Sequence, residues 1–97
     1  MIEIYAERTG ERCRLFAKGH AEPGEERDAV CAGVSALTGA LILHADDVRA
    51  RHLRYDMRPG EIFFSCRDGG ECFDLVLCGL RAIARRYPEH VKICTVS

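Results

Sequence analysis

The sequence predicts a two-layer sandwich of the α+β or α/β class, ordered ββαββαβ, with two helices packed on one mixed sheet. Three observations carry this. Five short segments alternate polar with apolar residues or are rich in β-branched ones, as half-buried strands require. Two longer segments repeat their apolar residues at helical spacing, which gives each one buried face. Glycine or proline punctuates most of the boundaries between them.

Residues 2–7 and 12–18 flank Thr9-Gly10-Glu11 and read as a hairpin. Lys18-Gly19 closes the second strand at His20, and Glu22-Pro23-Gly24-Glu25-Glu26 follows as an acidic loop without periodicity. Asp28 is a favourable N-cap, so a helix is expected from there to residues 44–46. Val30, Val34, Leu37 and Leu41 give that helix its buried stripe. Cys31 lies about 100° round from Val30, beside the stripe. Residues 51–57 and 61–66 form a second hairpin around Arg58-Pro59-Gly60. Asp68-Gly69-Gly70 breaks the chain before a second helix from Glu71 to Tyr87, with Phe73, Val76, Leu77, Leu80, Ile83, Ala84 and Tyr87 on its apolar face. Pro88 stops it, and residues 91–96 supply the last strand.

The 97 residues suit one domain, spanning 1–97. Lys and Arg number 14 against 15 Asp and Glu, so the net charge of -1 gives no reason to expect direct nucleic-acid or membrane binding. Acidic residues gather at Glu22, Glu25, Glu26 and Asp28. Basic ones gather at Arg49, Arg51, Arg54 and Arg58, and again at Arg81, Arg85 and Arg86; both runs are expected to be solvated surface. Met1-Ile2-Glu3-Ile4-Tyr5 turns polar at once, unlike a signal peptide, and no apolar run is expected to reach the length of a membrane span. Six cysteines without an export signal suit a reducing cytoplasm.

Cysteine abundance raises the question of metal. There is no Cys-x-x-Cys pair, and Cys72 and Cys78 would sit about 120° apart on their helix, unable to clamp one ion. No metal or cofactor is expected, and Cys66, Cys72, Cys78 and Cys94 are expected to be buried thiols. His44, His52 and His90 are expected to be chemically silent, His90 forming part of a basic surface with Lys92.

The stretch from Gly19 to Leu37 concentrates the remaining chemistry. A thiol is nucleophilic as thiolate, which a helix N-terminus and a neighbouring imidazolium both favour. Cys31 follows the expected cap by three residues, and His20 stands at the far end of a short loop, where it could serve as base and later protonate a leaving amine. The amides of the helix end, including that of Cys31, are candidate oxyanion donors. The plainer reading makes Cys31 a small core residue, Asp28 only a cap, and Ser35, one turn beyond Cys31, a partner for the preceding turn.

Gly19-His20-Ala21, followed after a short loop by Asp28-Ala29-Val30-Cys31-Ala32-Gly33-Val34-Ser35-Ala36-Leu37, resembles the signature of the ribosomal-processing cysteine protease family, Prp. Ala84 to Ile93 is similar to that family's C-terminal helix-to-strand segment. The resemblance implies a small α/β protein, commonly a homodimer, that removes a short N-terminal extension from a large-subunit ribosomal protein, the twenty-seventh of its series, during ribosome assembly. Its members are expected to recognise a largely apolar segment and cut after an aromatic residue. By motif, Cys31 is the nucleophile and His20 the base, with Gly19, Asp28 and Ser35 supporting.

Two positions depart from the pattern. Gly33 stands where alanine is expected, which loosens the helix by about 1 kcal/mol. The loop is unusually acidic; closing over a peptide as a lid, Glu22, Glu25 and Glu26 would favour basic residues in the substrate. Two other function classes compete. One is a noncatalytic ribosome- or RNA-associated module using Arg81, Arg85, Arg86, Lys92 and the hairpin arginines; the other is a thiol redox sensor centred on Cys31.

Overall fold

The computed structural model describes residues 1–96. The elements are β1 (Ile2–Thr9), β2 (Arg12–Lys18), α1 (Arg27–Asp47), β3 (Arg51–Arg58), β4 (Glu61–Arg67), α2 (Gly70–Arg86) and β5 (Val91–Val96). The expected ββαββαβ order is present. The strands form one mixed sheet in the order β3-β4-β2-β1-β5, antiparallel throughout except for the parallel pair β1–β5. Ile4, Ala6, Cys13, Leu15, Ala17, Phe64 and Cys66 point from the sheet into a core closed by Val30, Val34, Leu41 and Ile42 of α1 and Phe73, Leu77 and Leu80 of α2. The helices cover one face. The other remains open.

The topology collects one set of ends. The β1 start, the β2 end, the β3–β4 turn and the β5 start all lie at the same edge of the sheet, because Ile2 pairs with Val91 and Lys18 with both Glu3 and Glu61.

Helix α1 differs from its expected form in two ways. It starts at Arg27, with Glu26 at the N-cap and no side-chain capping bond. The Arg27 amide donates to Gly24 O at 3.3 Å and the Val30 amide to Glu26 O at 3.0 Å, so the Pro23-Gly24 turn feeds straight into the helix. Asp28 is therefore a first-turn residue, not the cap, its charge complementing the positive helix end. Leu37 is half-buried, and Thr38 takes its place in the stripe. Its hydroxyl donates to Val34 O at 2.8 Å, so this buried hydroxyl is not left unpaired.

Leu37 packs instead over α2, where a Cβ on Gly79 would stand 2.9 Å from its Cδ1. Across the same junction a Cβ on Gly33 would stand 3.1 Å from Ile83 Cδ1. Glycine on each helix lets the two approach. The departure at Gly33 thus has a packing reason that offsets its low helix propensity.

Taken alone, α1 is long and apolar enough to cross a membrane, with a mean hydropathy of 1.5 over its best window, contrary to the expectation that no segment reaches that length. Alanines and glycines carry much of that value. In the fold, its apolar stripe is occupied by the sheet and by α2.

The thiols also divide differently from expectation. Cys13 and Cys66 face each other across β2–β4, and burial pushes Cys66 up to about 11 and Cys13 above the ordinary thiol value. Both are poor nucleophiles. Cys72 is half-buried, whereas Cys78 and Cys94 are exposed. Cys78 lies outside the α2 stripe, and strand alternation turns Cys94 onto the open face.

Candidate active site

Gly19 has φ +101, and a Cβ there would collide with the Met1 carbonyl, so glycine is required where β2 ends. Its amide donates to Gly60 O at 2.8 Å, tying the β2 end to the Pro59-Gly60 turn. The next residue, His20, lays its ring against that turn. A Cβ on Gly60, whose φ is +75, would stand 2.6 Å from His20 Nε2.

A groove of about 290 Å³ opens here. Gly19, His20, Cys31 and Ser35 all line it, opposite the hairpin segment from Met57 to Ile62. Ile2, Ala17, Val34, Met57 and Ile62 give it apolar walls, with Lys18, Arg58 and Glu61 among its charged residues. The expected pair is thus brought to one groove. Cys31 is half-buried and His20 exposed, and the two make no hydrogen bond to each other among the described residues. Catalytic hydrogen bonds often tighten only around substrate.

Cys31 is the fifth helical residue, one beyond Val30, whose amide already bonds to Glu26 O. The Cys31 amide therefore belongs to the helical ladder, which removes it from the expected oxyanion donors. Ser35, one turn on, lines the same groove. Asp28 does not line it.

The acidic loop is held elsewhere. Glu22 Oε1 accepts from the Met1 amino group at 2.8 Å, a contact that keeps its carboxyl below the usual carboxylate value. The Glu22 amide donates to His90 Nδ1 at 3.0 Å, and His90 Nε2 faces Glu26 at 3.4 Å and Glu89 at 3.8 Å. Neither Glu22, Glu25 nor Glu26 lines the groove, so in this conformation the loop is no lid over it.

His90 is the residue the sequence reading missed. It is buried, only 6% exposed, rather than part of a basic surface. Its carbonyl accepts from Ile2 at 2.8 Å, Tyr87 packs edge-on against its ring, and its imidazole latches the loop. Its position just after a helix-stopping proline gave no local sign of burial. Glu26, Glu89 and His90 bring three ligand-type side chains together. With Nδ1 accepting from an amide, however, a neutral ring carries its proton on Nε2, the atom an ion would need. The cluster therefore suits a latch better than a metal.

Two outcomes are expected. Gly60→Ala should destabilise the protein by about 1–2 kcal/mol through its positive φ, and should reduce kcat at least about tenfold by displacing His20. Thermal unfolding and steady-state kinetics separate these effects; an unchanged kcat would detach His20 from the turn. His90→Leu, leaving the Glu22 amide unpaired, should cost about 1–3 kcal/mol and speed hydrogen exchange in residues 21–27. His90→Asn, with an amide oxygen able to replace Nδ1, should recover most of that protection.

Comparison with known proteins gives a consistent result. The family model for cysteine protease Prp matches residues 1–92. A crystal structure of an essential ribosomal processing protease Prp from S. aureus, in complex with a substrate peptide, superposes with a TM-score of 0.84 at 20% identity, covering 99% of this chain and 100% of that one. The same S. aureus protease with a covalently linked product peptide gives 0.79 at 21% identity, with 99% and 100% covered. SMU.848 from Streptococcus mutans gives 0.73 at 25% identity, with 99% and 94% covered. No curated protein sequence matches significantly.

Proposed function

The chain belongs to the cysteine protease Prp family, and on that premise we propose that it removes the N-terminal extension of a large-subunit ribosomal protein, the twenty-seventh of its series, using Cys31 as nucleophile and His20 as base. The single observation that carries the assignment of roles is that His20 and Cys31, eleven positions apart, line one apolar-walled groove. Cys31 is the only cysteine among the residues lining that groove.

The substrate peptide lies in the groove with an apolar or aromatic side chain against Ile2, Val34, Met57 and Ile62. His20 takes the Cys31 proton, and the thiolate sulfur attacks the scissile carbonyl carbon. The carbonyl oxygen becomes an oxyanion, to which the Ser35 hydroxyl donates in this reading. As the C–N bond breaks, His20 returns the proton to the leaving amine. Water then hydrolyses the thioester, releasing the trimmed extension and restoring the thiol. Asp28 acts at a distance, through the charge it adds to the first turn of α1.

The test is incubation of purified protein with the extended ribosomal precursor, read by mass spectrometry. One cut within the extension is expected. An intact precursor under reducing conditions would reject the reading. A precursor left whole beside an alkylatable Cys31 would favour the thiol-sensor alternative instead.

A further inference from the structure

The open face of the sheet carries a charge distribution that the overall balance of 14 basic and 15 acidic residues hides. Strand register sets side chains in rows across this face, with neighbouring rows about 6.7 Å apart. One row runs Cys94, Tyr5, Phe16, Phe63, Asp56. The next runs Val96, Glu7, Arg14, Ser65, Arg54, and the one beyond it Thr9, Arg12, Arg67, Arg51. Arginines from three strands, far apart in sequence, thus meet beside a row of aromatic rings.

Arg12, Arg14, Arg54 and Arg67, with His52 and Ser65, line a concavity of about 370 Å³. Among the described residues Arg12, Arg54 and Arg67 make no ion pair, and Arg14 makes a long one, 3.9 Å to Glu7. Arg51 is different, since Glu11 at 2.9 Å and Asp68 at 2.7 Å hold it. Phe63 and Arg14 also line an adjoining apolar hollow with Tyr5, Phe16, Cys94 and Val96. Tyr5 is 44% exposed, and its hydroxyl donates to Glu3 at 3.2 Å.

Converging guanidinium groups, three of four without an ion-pair partner among the described residues, call for an anion. Aromatic faces one row away call for flat rings, and a sheet offering both at once matches a single-stranded polynucleotide: phosphates on the arginines, bases on the rings. We propose that this open face binds single-stranded RNA. A second copy packed on this face with its strands parallel fits it less well, because that two-fold contact would set arginine rows against each other. Arg81, Arg85 and Arg86 play no part, since α2 covers the opposite face, so the sheet splits the basic residues that the competing binding-module reading combined.

The experiment is fluorescence anisotropy of a labelled mixed-sequence RNA of about twelve nucleotides with the full chain, over a salt series. Four phosphate contacts predict a slope of log K against log salt of about -3. Arg54→Gln with Arg67→Gln should reduce that slope to about -1.4. Phe63→Leu should weaken binding at least about fivefold with the slope unchanged. Circular dichroism and precursor cleavage, which these positions do not serve, verify the fold. No binding at low salt, a slope indifferent to the arginine pair, or equal competition by a polyglutamate peptide would each overturn the proposal. So would sedimentation showing a dimer that Phe63→Glu dissociates, because a second copy would then occupy the face.

Discussion

Cys31→Ala is expected to lower precursor cleavage by at least about 10⁴-fold, in line with the removal of a covalent nucleophile from other proteases. The unfolding midpoint should stay within about 5 °C of the parent, because a half-buried thiol contributes little packing. No other cysteine can take over. Cys13 and Cys66 are buried, with their thiol values raised, and Cys72, Cys78 and Cys94 do not line the groove. His20→Ala should also cut turnover by several orders of magnitude, yet leave Cys31 open to slow alkylation, which distinguishes base from nucleophile. Undiminished cleavage by folded Cys31→Ala would end the proposed mechanism.

Phe64→Ala should produce the largest loss of stability, about 3–5 kcal/mol. Phe64 is 1% exposed and stacks on Phe73 of α2, with ring centroids 6.3 Å apart and planes 20° apart. It is also paired with Leu15 on β2 and Tyr55 on β3, so its removal opens a cavity where helix and sheet meet. Against a total of about 5–15 kcal/mol for a domain, that loss leaves a large unfolded fraction. Phe63, its neighbour, lies on the open face, and Phe63→Ala should cost no more than about 1 kcal/mol. Urea unfolding of the two variants measures the contrast. Equal losses would contradict the assignment of the covered face.

The comparison of Phe63 with Phe64 also shows what was legible early. Period-two alternation separates the two residues onto opposite faces, but nothing local says which face a helix will cover. Helix α1 was readable for the same local reason, since Val30, Val34 and Leu41 repeat at its period. Its first residue was not. The Pro23-Gly24 turn, rather than Asp28, starts the helix, and this moves Cys31 into the second turn. Cys78 and Cys94 look like core residues by type, yet only packing decides which thiols are covered.

By itself the sequence determined the seven elements, their order, the stop at Pro88 and the short stretch holding His20 and Cys31. These depend on backbone preferences and apolar spacing within a few turns or pleats of chain. Tertiary structure alone decided that Gly60 supports the His20 ring, that His90 latches the loop and that Arg12, Arg14, Arg54 and Arg67 share one concavity. Strand register creates those neighbours, and it is set by pairing between segments as distant in the chain as Ile2 and Val91, with no trace in either segment alone.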